Sequence, residues 1–219
     1  EGVRAILLVE DSVRYYSTYL PLLYKLVLQQ NLIAIRDALN EKQQLMRKRA
    51  RPKVLLATCY DEAVELYNQY GKNIIGVISD IGFVLHRGDP SASEKLDAGV
   101  DLCKLIREDN PTMPFLMQSS QESMRSIARQ LKVGFVIKQS KTLTQEVSEY
   151  IEREFGFGDF IARDPRTGKE IARASDLEGF ERIISTISSA AFRRLSDNNY
   201  LSKWLFARGL FSVGRPVSA

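Results

Sequence analysis

The sequence predicts an α/β protein built on a doubly wound, five-stranded parallel sheet, followed by a small C-terminal α+β appendage. From residue 4 to about residue 153, short β-branched runs alternate strictly with longer helical segments. This alternation is typical of parallel strands covered by helices on both faces. The run "IIGVI" before Asp80 is continuously apolar, as expected for a strand that is buried on both faces.

The predicted strands and helices follow one another in chain order. The strands are "RAILLV", "KVLLAT", "IIGVIS", "PFLMQS" and "GFVIK". The helical segments begin near Ser12, Asp61, Val100, Gln121 and Leu143. We therefore assign residues 1–153 to one domain and expect ligands at the carboxyl ends of its strands.

A long helical stretch separates the first two strands. Residues 29–52 carry the apolar residues Leu32, Ile35, Leu39 and Leu45 near helical spacing, so we expect them to extend or double the first helix. This stretch is the best candidate for a partner surface.

A polar, turn-rich loop covers residues 85–99 and follows the strand that ends in Asp80. Its composition fits either a lid over that strand end or a plain solvated loop.

The C-terminal residues 154–219 differ in pattern from the first domain. A hairpin around "PRTG" is expected first, and Ser175 with Glu178 forms a capping-box signature for a helix. A last helix is expected to close at Gly209. We interpret this region as a small α+β appendage or a partial domain.

The composition is that of an ordinary folded protein, with 44% hydrophobic residues, 26% charged residues and a net charge of +4. Only two cysteines, Cys59 and Cys103, are present, which indicates a reducing compartment and, by default, the cytoplasm. No run reaches the roughly 18 uninterrupted apolar residues that a membrane span needs. Because the chain opens with Glu1 and enters a strand by Arg4, we expect it to be a piece of a longer protein.

The densest basic run is Arg47 to Lys53. A nucleic-acid partner is one interpretation, but no aromatic residue is interleaved with these charges. A solvated helix end, where cations suit the helix dipole, is therefore favoured.

Acidic residues end two neighbouring strands of the predicted sheet. Glu10 and Asp11 follow the first strand, and Asp80 ends the third. Three carboxylates this close raise one another's pKa unless a cation neutralises them, and hard oxygen ligands suit Mg²⁺. The sequence therefore predicts a magnesium site. The alternative is a structural arrangement, with helix N-terminal acids and an ion pair between Asp80 and Lys138.

A hydroxyl group and a lysine are expected at the same edge. Ser119 ends the fourth strand, with Ser120 as an alternative, and Lys138 ends the fifth. An acid cluster, a hydroxyl and an ammonium group together favour phosphoryl transfer to the Asp80 carboxylate, with Lys138 and Ser119 holding the phosphoryl oxygens.

These motifs in this order resemble the response regulator receiver domain of bacterial two-component systems. The resemblance covers about residues 4–153 through "LLVEDS", "GVISD", "LDAG", "MPFLMQSS" and "GFVIK". It implies a flavodoxin-like sheet of order 2-1-3-4-5. It also implies a sensor histidine kinase or phosphotransfer protein as partner, small phosphodonors as alternative donors, and a homodimer as a frequent assembly.

The resemblance assigns a role to each matched residue. Glu10 and Asp11 match the acidic metal pair, and Asp80 matches the phosphoacceptor, which also binds the metal. Ser119 matches the switch hydroxyl, Phe135 the switch aromatic and Lys138 the invariant lysine. The backbone carbonyl of Gly82 is the further metal ligand that the family implies.

The chain departs from the family at two positions. Gln139 follows Lys138 where the family has proline in a cis peptide; since a cis bond before another residue costs about 2.5 to 4 kcal/mol, we expect a trans bond with a rearranged loop, or strain. Gly82 replaces a larger side chain, so water should reach a phosphoryl group unless the 85–99 loop or Gln121 covers it.

Three other functions fit the sequence less well than a phosphorylated switch does. A DNA-binding regulator needs a recognition helix that residues 155–219 do not convincingly supply. The sequence does not favour an independent enzyme, because no P-loop or nucleotide-binding glycine pattern follows the first strand. An unphosphorylated scaffold should have lost pocket residues that are present here. The tail "NNYLSKWLFARGLF" more loosely resembles segments of phosphoenolpyruvate synthase or pyruvate phosphate dikinase-like proteins, which would make the chain a regulatory part.

Overall fold

The computed structural model describes residues 3–36, 38, 40–164, 166–197 and 199–210. Five parallel strands form one sheet in the order β2-β1-β3-β4-β5. They are β1 (Ala5–Val9), β2 (Lys53–Ala57), β3 (Ile74–Asp80), β4 (Phe115–Ser119) and β5 (Gly134–Ile137). The predicted fold class and strand order are confirmed.

Helices cover both faces of this sheet. They are α1 (Val13–Arg36), α2 (Glu41–Arg49), α3 (Tyr60–Tyr70), α4 (Ala98–Asp109), α5 (Arg125–Gln130) and α6 (Leu143–Glu154). Apolar residues of α3, α4 and α5 pack with one face of the strands, and those of α1 and α6 pack with the other face. The three central strands β1, β3 and β4 are buried on both faces, as their continuous apolar runs predict, while the edge strands β2 and β5 are mostly half-buried.

The long stretch after the first strand forms two helices. Helix α1 continues to Arg36, and Asn40 caps α2 by accepting a hydrogen bond from the Gln43 amide at 2.9 Å. The expected extension and doubling of the first helix are both observed, while Leu39 lies outside the described residues. Arg47, from the basic run, is buried and donates to the Ala34 carbonyl, so it joins the two helices.

The C-terminal region contains a hairpin and three helices. Strands β6 (Phe160–Arg163) and β7 (Glu170–Ala174) are antiparallel, as expected, although Pro165 of the turn lies outside the described residues. Helices α7 (Leu177–Thr186), α8 (Ser189–Asp197) and α9 (Tyr200–Ala207) follow. Gly209 has a φ of +75° just after α9, which suits its predicted role of closing the helix.

The predicted capping box at Ser175 and Glu178 is wrong by one residue. Asp176 is the N-cap of α7, and its carboxylate accepts a hydrogen bond from the Gly179 amide at 2.7 Å. Asp176 is as good a capping residue as serine, so its carboxylate takes the position that the pattern assigns to Ser175.

The C-terminal region packs on the sheet domain as well as on itself. Its own apolar cluster is centred on Phe160 and Trp204, while Ala207 belongs to the cluster of α1 and α6. The fully buried Arg208 donates to the carbonyls of Gly156 at 3.1 Å and Gly158 at 3.3 Å. The domain boundary between residues 153 and 154 stays a prediction.

None of the described helices is long and apolar enough to cross a membrane.

Candidate functional site

The three predicted acidic residues lie together at the carboxyl edge of the sheet. Glu10 directly follows β1 and Asp80 is the last residue of β3, and these strands are paired in parallel. One carboxylate oxygen from each of Glu10, Asp11 and Asp80 lies within 4.8 Å of the others. The structure therefore brings the predicted metal ligands into a single cluster.

The side chain of Lys138 enters this cluster from the end of β5. Its ammonium group contacts Asp80 Oδ2 and lies 2.8 Å from Glu10 Oε2 and 2.9 Å from Glu10 Oε1. The ring of Tyr15 on α1 packs against the same ammonium group, 4.3 Å from the ring centroid. Lys138 is 7% exposed, so these interactions are made away from bulk water and are weakly screened.

Two further groups fix the Glu10 carboxylate. The Ser12 amide donates to Oε1 at 3.2 Å, and Gln118 Nε2 donates to Oε2 at 2.9 Å. Gln118 is fully buried in β4, and sequence reasoning did not single it out. The signal was a polar side chain within an otherwise apolar buried strand, where it needs a hydrogen-bond partner.

Asp80 is held in a fixed orientation at the end of β3. Its Oδ1 accepts a hydrogen bond from the Ile81 amide at 2.7 Å, while Oδ2 faces Lys138. The residue is 9% exposed, so one side of the carboxylate remains accessible from solvent.

The electrostatics of the cluster favour an added cation. Burial, followed by the charge of Asp80, raises the pKa of Glu10 to about 7. Burial also raises the pKa of Asp80. For Lys138, burial opposes the charged form, but the carboxylates of Asp80 and Glu10 outweigh it and raise the pKa. One ammonium group therefore leaves the carboxylates under-neutralised.

The donor set fits a magnesium ion. Three carboxylates offer hard oxygen atoms, and Asp11 and the accessible side of Asp80 leave room for water ligands. The Tyr19 hydroxyl is buried and finds no hydrogen-bond partner in the described part of the chain, and the charges of Glu10 and Asp80 contribute to raising its pKa. Glu10, Asp11 and Asp80 are the side chains that would hold the ion.

Ser119 and Phe135 lie where the two predicted switch residues were expected in the sheet. Ser119 ends β4, and its Oγ accepts a hydrogen bond from the Gln121 amide at 3.1 Å. Phe135 lies in β5, half-buried, with the Arg125 guanidinium 4.8 Å from its ring centroid. Ser119 is buried and Ser120 is exposed.

Backbone hydrogen bonds hold the loop at residues 85–99 beside the acid cluster. Phe83 and Lys95 form an antiparallel bridge, with the Lys95 amide donating to the Phe83 carbonyl at 3.1 Å. A methyl group placed on Gly82 would lie 3.6 Å from Leu96 Cα, so this loop passes across the residue predicted to leave the site open.

Glu94 of this loop is an acidic neighbour of the cluster that the sequence did not reveal. Desolvation by the neighbouring protein atoms, then the charges of Asp11 and Asp80, raise its pKa. Its position depends on the bridge between Phe83 and Lys95, which no local pattern predicts.

Helix α4 packs closely against the end of β3. The Gly99 amide donates to the Ile81 carbonyl at 2.9 Å, and a Cβ on Gly99 would lie 2.1 Å from the Asp80 carbonyl oxygen. Only glycine permits this approach, which holds the backbone around Asp80 in place.

The peptide bond between Lys138 and Gln139 is trans, since the described residues contain no cis peptide. The expected trans bond is therefore observed. The Lys138 amide still donates to the Ser119 carbonyl at 3.0 Å, so Lys138 keeps its place at the edge of the sheet.

No protein-family model matches the chain, and no curated protein matches it. Among solved structures, a response regulator receiver domain protein from Clostridium thermocellum shares 16% identity over 68% of this chain and 92% of that chain, with a TM-score of 0.39. The non-phosphorylated HemR receiver domain from Leptospira biflexa shares 22% identity over 68% and 92%, with a TM-score of 0.41. The response regulator TrrA from Thermotoga maritima, in complex with Mg²⁺ and BeF, shares 15% identity over 68% and 99%, also with a TM-score of 0.41. Because these TM-scores lie below 0.5, function has to be inferred from the geometry of the site.

Proposed function

We propose that this chain is a phosphoacceptor switch of the two-component type, phosphorylated on Asp80 in a Mg²⁺-dependent reaction. The observation that carries this proposal is the position of Lys138. Its ammonium group contacts Asp80 and Glu10 at once, with Asp11 completing the carboxylate cluster. A carboxylate that could accept a phosphoryl group, two further carboxylates and an ammonium group thus lie together before any phosphate arrives.

The residues divide the chemistry between them. The bound cation would neutralise the charge of the incoming phosphate. Asp80 supplies the attacking oxygen: a bond from a carboxylate oxygen to phosphorus forms as the bond from phosphorus to the donor's leaving group breaks. Oδ1 is hydrogen-bonded to the Ile81 amide, so Oδ2 attacks once Lys138 moves away from it.

Phosphorylation changes the charge at the sheet edge and so biases the surrounding surface. Phosphorylation converts the Asp80 carboxylate, which carries one negative charge, into an acyl phosphate that carries about 1.5 to 2 on its phosphoryl oxygens, and this draws the Lys138 ammonium away from Glu10. The Ser119 hydroxyl accepts from the Gln121 amide, so its own hydrogen is available to donate to a phosphoryl oxygen. Movement of Ser119 would be passed to Phe135 and the stacked Arg125 through the paired strands β4 and β5.

The proposal includes a phosphate donor, a place of action and an output. The phosphate would come from a sensor histidine kinase, a phosphotransfer protein or a small phosphodonor, and the chain would act as a switch in the cytoplasm and not as an enzyme on other substrates. A homodimer is compatible with such a switch. A DNA-binding output and a phosphoenolpyruvate synthase-like output both remain proposals, and none of the three comparisons supports the second.

The test is phosphorylation with acetyl phosphate and Mg²⁺, followed by intact-mass measurement, with Asp80→Asn as the control. We expect a hydroxylamine-labile adduct of one phosphoryl group on the wild-type protein, lost in the variant and without Mg²⁺. An unmodified wild-type protein that also fails to bind Mg²⁺ and beryllofluoride would instead indicate the unphosphorylated scaffold.

A further inference from the structure

The hydroxyl group of Tyr19 is buried without a hydrogen-bond partner in the described part of the chain. Tyr19 is 0% exposed. Two other buried tyrosines are satisfied: the Tyr150 hydroxyl donates to the Phe115 carbonyl at 2.9 Å, and the Tyr67 hydroxyl donates to Asp109 Oδ2 at 2.7 Å. An unpaired buried hydroxyl is unfavourable, so the one on Tyr19 calls for an explanation.

The geometry of α1 directs this hydroxyl toward the acid cluster. Side chains on a helix lean toward its N-terminus, and α1 begins at Val13, just after Glu10 and Asp11. Tyr15 lies one turn before Tyr19 on the same side of the helix, and its ring contacts the Lys138 ammonium group. Tyr19 therefore lies one helical turn after Tyr15, on the side of α1 that packs against the sheet.

The charges of two carboxylates act on the Tyr19 hydroxyl. Burial, then the charges of Glu10 and Asp80, raise the pKa of the Tyr19 hydroxyl well above its usual range. The group thus stays protonated at every ordinary pH. A protonated hydroxyl next to two carboxylates is a hydrogen-bond donor and not a further negative charge.

We propose that Tyr19 is a positioning residue of the divalent-cation site, and that its hydroxyl donates to a water molecule bound beside Glu10 when the cation is present. This inference rests on the proposed function, because it assumes that Glu10, Asp11 and Asp80 bind Mg²⁺. Magnesium keeps several of its waters when it binds to proteins. Groups that orient the ligands and waters from behind contribute strongly to metal affinity.

The hydrogen bonds that Glu10 already accepts explain why the Tyr19 hydroxyl has no protein partner. Glu10 already accepts hydrogen bonds from Ser12, Gln118 and Lys138. When Lys138 turns to a phosphoryl group, Glu10 loses one donor. A water held by Tyr19 would supply the replacement and keep Glu10 oriented toward the cation.

The test compares Tyr19→Phe with Tyr150→Phe, two substitutions that each remove one buried hydroxyl. Cation affinity is measured by calorimetric titration with Mn²⁺ and with Mg²⁺, and thermal unfolding is followed with and without the cation. We expect Tyr19→Phe to lower the affinity about 10-fold and Tyr150→Phe to leave it unchanged. Without the cation, Tyr19→Phe should raise the unfolding midpoint by about 2 °C or more and Tyr150→Phe should lower it.

Equal cation affinity in wild type and Tyr19→Phe would overturn the inference while leaving the proposed function intact. A fall in the midpoint of cation-free Tyr19→Phe would also overturn it, because the hydroxyl would then have a partner in the protein. If the wild-type protein binds neither cation, the metal-dependent function itself is wrong.

Discussion

Lys138 and Glu10, 128 positions apart in the chain, are joined by a buried ion pair in which the ammonium group lies 2.8 Å from Oε2. The same ammonium group contacts Asp80. A single lysine thus compensates two buried carboxylates, and any cation that enters the cluster competes with it. The resting state of the site is held by an interaction that phosphorylation and metal binding would have to break.

Replacing Lys138 with methionine should therefore destabilise the protein most when no divalent cation is present. Removing one partner of a buried pair leaves an uncompensated charge and costs about 3 to 5 kcal/mol. A bound Mg²⁺ would restore part of the lost positive charge, so the loss should shrink as Mg²⁺ is added. Urea unfolding with and without Mg²⁺ measures both values.

Lys141→Met is the matched control for this substitution, because Lys141 is exposed only three residues further along. It should change the free energy of unfolding by less than about 0.5 kcal/mol. A Lys138→Met protein as stable as the control without Mg²⁺ would contradict the view that this lysine stabilises the resting site.

Two glycines near Asp80 should respond differently to alanine. A Cβ at Gly99 would lie 2.1 Å from the Asp80 carbonyl oxygen, whereas at Gly82 the nearest atom would be 3.6 Å away. Gly99→Ala forces α4 away from β3 and should cost about 1 to 3 kcal/mol or more, while Gly82→Ala should fall within about 1 kcal/mol. Denaturant unfolding of both variants checks the order, and a more stable Gly99→Ala would show that α4 is not packed as described.

The sequence predicts which side chains meet at the sheet edge because the carboxyl ends of parallel strands have to lie there. Glu10, Asp80, Ser119 and Lys138 each end or follow a strand, so a strand assignment correct to one or two residues is enough to bring them together. The strand order, by contrast, came from the family resemblance and is confirmed by the observed pairing.

The supporting residues could not be predicted in the same way. Gln118 lies in a buried strand, and its amide reaches Glu10 only because of the sheet register. Tyr19 is buried only because of the side that α1 presents to the sheet. Glu94 depends on a single long-range bridge between Phe83 and Lys95. At α7, two good capping residues stand side by side, and local pattern cannot choose Asp176 over Ser175.

Removing the charge of Glu94 should weaken cation binding at the cluster. The charges of Asp11 and Asp80 act on Glu94, so its own charge attracts a cation to the same place. We expect Glu94→Gln to lower Mg²⁺ affinity about 2- to 5-fold at low salt, with a smaller effect at high salt because the residue is exposed.

Glu108→Gln, at the far end of α4, is the control for that experiment, and its affinity should match wild type. Calorimetric titration at two ionic strengths provides the measurement. If Glu94→Gln and Glu108→Gln bind the cation equally well, the charge of Glu94 does not contribute to cation affinity.

Lys203 on α9 should make the stability of the C-terminal region depend on pH. Burial lowers the pKa of its ammonium group to about 8, from an ordinary value of 10.5. Between those pH values the unfolded chain binds a proton that the folded chain does not, so stability rises as the pH increases from about 8 to about 10.5. Below pH 8 the charged, partly buried ammonium group lowers the free energy of unfolding by a constant amount. Lys203→Met should therefore stabilise the protein at pH 7 by about 1 to 3 kcal/mol and remove this part of the pH dependence.

Urea unfolding of wild type and Lys203→Met at pH 7, 8.5 and 10 measures the difference, with the exposed Lys169→Met as the control. If the free energy of unfolding changes equally with pH in wild type and Lys203→Met, the ammonium group of Lys203 is not buried.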